Sequence, residues 1–306
     1  MTSLEGRIDA RDWSLLGLLS ILWGGSFVFN GLILKELPPL TVVFLRVAIA
    51  AAILLPLLWA YRIRLPQGVS GWMPFVAIAC FNNVLPFSLI VTAQTSIASG
   101  LASILNATTP LFTVMVMAAA GEEKLSARRI GGVVAGLIGV AVLRGDAVGV
   151  ETGQGIGILL CLGATVSYAL SALLARRLLA NSPPLGTATF QMLASTAMMA
   201  VVAAGVEQPW RLPMPGVATW LAVIGLAALS TALAYIVFFQ IVRRSGATNV
   251  MLVTLLIPVT AILLGYLVLG ESMSARELTG AAIIGSALLL IDGRFAAVLR
   301  RRFAAS

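Results

Sequence analysis

A ten-residue pattern occurs twice in this chain. Glu123-x-x-Ser126-Ala127-Arg128-x-x-x-Gly132 returns 148 residues later as Glu271-x-x-Ser274-Ala275-Arg276-x-x-x-Gly280. A proline precedes each glutamate by thirteen residues, Pro110 and Pro258, and both lie inside long apolar runs. The echo makes the chain a duplicated unit, and duplication within a membrane is a signature of transporters.

The 306 residues are 59% hydrophobic and only 10% charged. Soluble domains carry about 25% charged residues, so this chain is built for lipid. Apolar runs near the ~20 residues that cross a bilayer cover 13–34, 40–60, 72–95 and 100–120, then 154–175, 185–206, 217–242 and 247–270. Two shorter runs, 130–143 and 278–291, follow the echoed segment in each copy and count as helices five and ten. The expected fold is all-α and integral to the membrane, with ten transmembrane helices as two inverted-topology five-helix repeats. The first repeat spans residues 12–145 and the second 152–292, between a tail at 1–11 and a basic tail at 293–306.

Charge placement tests that count. With the N-terminus cytoplasmic, the inner side holds Arg7, Arg11, Arg62, Arg64, Lys124, Arg128, Arg129, Arg176, Arg177, Arg243, Arg244, Arg294, Arg300, Arg301 and Arg302. The outer side holds Lys35, Arg144, Arg211 and Arg276, a bias of 15 against 4. Removing one short helix would scramble this alternation, so the positive-inside rule supports ten spans with both termini cytoplasmic. Five helices per copy is an odd number, which reverses the second copy. Lys124 and Arg129 accordingly become Ser272 and Glu277 in the echo. A pseudo-twofold axis in the membrane plane then places a substrate site between the halves near mid-depth.

The residues Leu22-Trp23-Gly24, the lone intramembrane Arg46 and the paired segments Pro110…Gly121-Glu122 and Pro258…Gly270-Glu271 carry a resemblance to the EamA-type drug/metabolite transporter superfamily. It covers essentially residues 12–292. By overall likeness the chain is similar to bacterial amino-acid exporters of the YddG type. The resemblance implies export of neutral and aromatic amino acids across a bacterial inner membrane. The alternatives are export of other metabolites, such as purines or cationic drugs, or a channel.

Polar and aromatic residues three or four apart mark a candidate site. Trp23, Phe27 and Asn30 share a face in the first helix, beside Ser26 and the close-approach pair Gly24-Gly25. The third helix carries Asn82-Asn83 followed by Pro86-Phe87, where the proline frees a backbone carbonyl one turn earlier. Ser103 and Asn106 precede Pro110; Thr165, Tyr168 and Ser171 form a stripe; Ser230-Thr231 and Tyr235 match the Asn pair in depth. Hydroxyls in such helices often satisfy their own backbone, the plainer reading of each serine and threonine. Arg46 either captures a substrate carboxylate or, the favoured reading, pins helix ends or snorkels outward. Pro110 and Pro258 are hinge candidates for alternating access.

Several classes are set aside. There is no histidine, no G-x-x-x-x-G-K, no G-x-S-x-G and no mid-membrane acid, which argues against an ATP-driven pump or an intramembrane enzyme. Cys80 and Cys161 are read as packing residues, so neither metal nor cofactor is expected. The dispersed arginines argue against nucleic acid, leaving the lipid bilayer and a small-molecule substrate as partners. Small-residue faces such as Gly132-x-x-x-Gly136 and Ala135-x-x-x-Gly139 suit packing within the protomer or a homodimer.

Overall fold

A computed structural model describes residues 9–144, 153–180, 182–250 and 252–292. Most of both tails, the 145–152 link, and Arg7, Arg294, Arg300, Arg301 and Arg302 of the charge count lie outside the described residues. All regular structure among the described residues is helical. It falls into α1 (Ala10–Ile33), α2 (Pro39–Ala60), α3 (Gly68–Ala93), α4 (Ser99–Ala119), α5 (Ala127–Arg144), α6 (Gln154–Leu178), α7 (Pro184–Val206), α8 (Val217–Ser245), α9 (Val253–Leu269) and α10 (Ala275–Asp292). A turn of helix at Ala247–Val250 leads into α9.

Seven of these, α1 to α4 and α6 to α8, are long and apolar enough to cross a bilayer, and α9 is a shorter apolar helix. Helices α5 and α10 have 18 residues each. Their charges sit at the ends, Arg128, Arg129 and Arg144 in one and Arg276, Glu277 and Asp292 in the other, which shortens the apolar stretch between. Large apolar side chains such as Ile21, Leu159, Val201, Leu221 and Val259 are exposed around the bundle. A surface of this kind suits lipid, and the chain is a multi-pass membrane protein.

The echoed segment owes its form to helix ends. Gly121 and Gly270 adopt left-handed φ of 72° and 68° after α4 and α9, a conformation that terminates helices and favours glycine. The echoed serines then start the next helices. Ser126 Oγ accepts from the Arg129 N–H, and Ser274 with Glu277 forms reciprocal capping bonds on α10. Pro39 and Pro184 open α2 and α7 at the position where a missing N–H does no harm.

Helices α3 and α8 each contain one widened π turn, at Cys80–Val84 and Ala228–Leu233. In α3 it lies just before Pro86, which has no N–H to donate. The Phe81 carbonyl, five residues earlier, instead accepts from Ser167 Oγ of α6 at 2.8 Å. Helix α4 is interrupted by a turn at residues 107–108, just before Pro110.

The two copies interlock. Helix α1 packs along α9, α4 along α6, α2 along α7 and α5 along α10, so the pairing maps onto itself when the copies exchange. A Cβ on Gly24 would overlap Thr260 of α9, one on Gly31 would meet Leu269, and thus α1 and α9 run parallel. Gly132 lies against Ala287 and Ile291 while Gly139 lies against Gly280 and Ile284, so α5 and α10 run antiparallel. The glycine face of α5 is therefore occupied inside the protomer. That resolves the choice left open between internal packing and a dimer at these glycines.

Side-chain bonds between loops fall on two faces of the bundle. On the face where α1 begins, Arg244 bonds Asp9 and Asp12, while Arg176 and Arg177 pair with Glu122 and Glu123. On the far face three carboxylates bond the first backbone N–H groups of other helices. Glu207 accepts from Leu40 and Thr41, Glu36 from Gly216, and Glu271 from Ser99 and Gly100. A helix start carries orphan donors and positive dipole charge, so each is a favourable cap.

Candidate functional site

A cavity of about 810 Å³ lies between the copies. Its wall includes Trp23, Phe27, Asn30, Arg46, Asn82, Phe87, Asn106, Pro110, Tyr168, Gln191, Ser230, Tyr235, Phe238 and Phe239, and toward the α1 face Glu123 and Arg129. No residue of the far-face loops 34–38, 94–98, 207–216 or 270–274 contributes. The cavity reaches one face and stops short of the other.

Eight of the nine binding residues expected from sequence meet here: Trp23, Phe27, Asn30, Asn82, Phe87, Asn106, Tyr168 and Tyr235. Asn83 does not. It is fully buried behind the wall, where its Nδ2 donates to Ser195 Oγ at 3.0 Å and its Oδ1 accepts from the Tyr235 hydroxyl at 3.4 Å. Adjacent side chains of a helix point about 100° apart, which divides the two amides between wall and packing. Asn82 Nδ2 faces inward, donating to Gln191 Oε1 and Tyr235 Oη, each at 3.1 Å. Of the hinge candidates Pro110 lines the cavity and Pro258 stands within α9 away from its wall.

The expectation that Arg46 snorkels or pins helix ends needs correction. Its side chain is 6% exposed and lines the cavity. Nε donates to Thr231 Oγ1 at 2.9 Å, and the guanidinium carbon lies 3.8 Å from the centre of the Phe87 ring. Thr231, inside the α8 π turn, is held in turn by donating to the Leu226 carbonyl just before it. Cation–π contact and one hydrogen bond orient the guanidinium. Among the described residues no carboxylate lies within ion-pair distance of it.

The far end of the cavity is shut by an amide relay. Asn30 Nδ2 donates to Gln94 Oε1 at 2.9 Å, and Gln94 Nε2 donates to the Phe27 carbonyl and Ser99 Oγ. Aromatic rings cover another wall: Trp23 lies 5.6 Å from Phe238, which meets Phe239 edge-on at 5.2 Å, and Phe239 stacks with Tyr235 at 6.1 Å. Phe238 and Phe239 had a signal in the sequence, standing three and four residues after Tyr235. Gln94 and Gln191 had none beyond being amides in apolar runs.

The plainer reading holds for Ser103 and Thr165, which donate to the carbonyls of Gly100 and Leu162 in their own helices. Ser171 and Ser230 line the cavity. Glu123, an acid of the loop between α4 and α5, forms part of the mouth, paired with Arg129 and Arg176.

The match that decides the family covers both copies: residues 12–145 and 155–292 fit the EamA-like transporter family. The chain belongs to that family. EamA-like proteins are transporters, so this chain is a transporter and not an enzyme. It is 25% identical to a WAT1-related chloroplastic protein of Arabidopsis thaliana, over 92% of this chain and 69% of that protein. It is 26% identical to the uncharacterized transporter YwfM of Bacillus subtilis, covering 92% and 93%. A protein of Escherichia coli named as a probable amino-acid metabolite efflux pump is 23% identical, covering 92% and 95%. A solved crystal structure aligns with a TM-score of 0.64 at 22% identity, over 92% of this chain and 98% of that one. That likeness concerns the fold alone.

Proposed function

We propose that this EamA-like chain is a secondary carrier that exports neutral and aromatic amino acids across a bacterial inner membrane. The observation that carries this reading is a cavity open to one face, walled by aromatic rings and lined by the Arg46 guanidinium, which has no carboxylate partner among the described residues. The similarity to a protein named as an amino-acid metabolite efflux pump supports the substrate class.

In this reading all ten helices span, α5 and α10 included, and the copies cross in opposite senses. The antiparallel α5–α10 pair and the exchange-symmetric packing support it. The α1 face is cytoplasmic by its arginines, so the conformation is inward-open and sealed on the outside. Alternating access follows from rocking one copy on the other. Pro110, beside the break in α4, and Pro258 in α9 are the hinges.

Among the described residues no carboxylate lines the cavity at mid-depth, so transport runs without a buried proton-coupling acid. Counterflow in proteoliposomes tests the reading with a panel of free amino acids, purines and cationic drugs. Saturable exchange of neutral amino acids is expected. Exchange confined to purines or drugs, or unsaturable flux, would refute it. Uptake driven by an imposed pH gradient, with substrate equal on both sides, would refute the acid-free coupling.

A further inference from the structure

Three residues of the cavity wall each carry a buried oxygen without a hydrogen-bond partner: Asn30 Oδ1, Asn106 Oδ1 and Ser230 Oγ. Buried polar atoms in folded proteins are paired almost without exception. Asn30 and Ser230 are each 1% exposed. The Asn30 amide is also fixed in sense, since its Nδ2 is engaged by Gln94 Oε1 and its oxygen must point elsewhere. These residues share a cavity with a guanidinium whose only hydrogen bond among the described residues is made by Nε.

Their depths fall within about one helical turn of each other. Arg46 is seven residues inside the far-face start of α2, and Asn106 seven inside the far-face start of α4. At roughly 1.5 Å per residue both stand about 10 Å below that face. Asn30 lies three residues from the far end of α1, about one turn nearer the same face. Ser230 precedes Thr231, the residue that holds the Arg46 Nε.

We propose that the cavity reads a zwitterion by two separate poles. This assignment rests on the amino-acid reading above and names the atoms that carry it. The carboxylate sits on the free amino groups of Arg46, with the Ser230 hydroxyl donating to it. The ammonium donates to the amide oxygens of Asn106 and Asn30. A guanidinium supplies paired donors for a carboxylate, and the ammonium brings donors alone, which is what two lone acceptors need. With a fixed cation and no mid-depth acid, a net cation is repelled at Arg46. A monocarboxylate lacking the amine leaves both amide oxygens unpaired.

Phenylalanine, phenethylamine and 3-phenylpropanoate, which share one ring and differ only in the poles, test this on the full-length protein. Binding by calorimetry and counterflow in proteoliposomes are the readouts. Phenylalanine should bind at least tenfold tighter than either analogue. Arg46→Gln should weaken phenylalanine at least tenfold while leaving phenethylamine unchanged or tighter. Asn106→Asp should admit phenethylamine, a gain that a misfolded variant cannot mimic. An Arg46→Gln protein that keeps the wild-type ratio of phenylalanine to phenethylamine overturns the assignment, as does a wild type that binds both analogues as well as phenylalanine. Exchange of purines or drugs with no amino acid exchanged at all overturns the underlying substrate reading instead.

Discussion

Glu271, at the end of the second copy's fourth helix, accepts a hydrogen bond from the Ser99 backbone N–H of the first copy at 3.0 Å. Its repeat-related counterpart, Glu123, makes no such cap in this conformation. It stands at the cavity mouth and pairs with Arg129 and Arg176. One glutamate thus clamps a closed face while its twin borders an open one.

Loss of the clamp should loosen the far face. In Glu271→Ala the N–H groups of Ser99 and Gly100 lose their acceptor. A cysteine reporter at Ile97, which is buried beside the clamp, should then react several-fold faster with a water-soluble maleimide. Equal reaction rates with and without Glu271 would show that the clamp does not hold this face.

The aromatic wall should set preference among amino acids. Trp23→Ala removes the ring that faces Phe238, and an aromatic contact contributes about 0.5–1.5 kcal/mol beyond its buried area. Affinity for tryptophan and phenylalanine should fall by about two- to twelvefold, in proportion to that energy. Affinity for alanine, too small to span to this wall, should change little. Competition binding on purified protein reads both.

Packing of α5 on α10 should reject any side chain at Gly139. A Cβ there would stand 2.7 Å from Ile284 Cγ1 and 3.1 Å from the Gly280 carbonyl. Gly139→Val should destabilise the protein in detergent by about 1–3 kcal/mol, the usual cost of overpacking. Gly285, with open space where a Cβ would stand, is the control: Gly285→Ala, inside the same helix α10, should keep or raise the melting temperature.

Acid should unlock both faces. A hydrogen bond from Arg177 holds the Glu122 carboxyl below its ordinary 4.5, and the backbone N–H of Gly216 does the same for Glu36. Carboxyls depressed in the folded state stabilise it above their unfolded value and lose that contribution as pH falls through the folded one. Melting temperature should be level above about pH 5 and decline below about pH 4.5. The decline should be shallower in a Glu36→Gln, Glu122→Gln double variant, measured by a thermal scan across pH.

How legible this was in the sequence depended on which physical signal each residue emits. The duplication and the helix ends could be read because Gly121, Gly270, Ser126 and Ser274 act locally, through backbone conformation and capping. Trp23, Phe27 and Asn30 could be read from helical spacing. Asn83 misled because adjacent residues of a helix point about 100° apart, so only one of the two amides can face the cavity. Arg46 misled because its partners, Phe87 and Thr231, come from two other helices far along the chain. The sense of the Asn30 amide depended likewise on Gln94, which spacing gave no reason to choose.

The cavity that ends beneath the Gln94 relay has an electrical corollary. With one end open and the other plugged by hydrogen-bonded amides, no water column joins the two aqueous phases in this conformer. A planar bilayer loaded with the protein should therefore show no ohmic conductance, and ions should not follow the solute through. A cell could hold many copies without dissipating its membrane voltage.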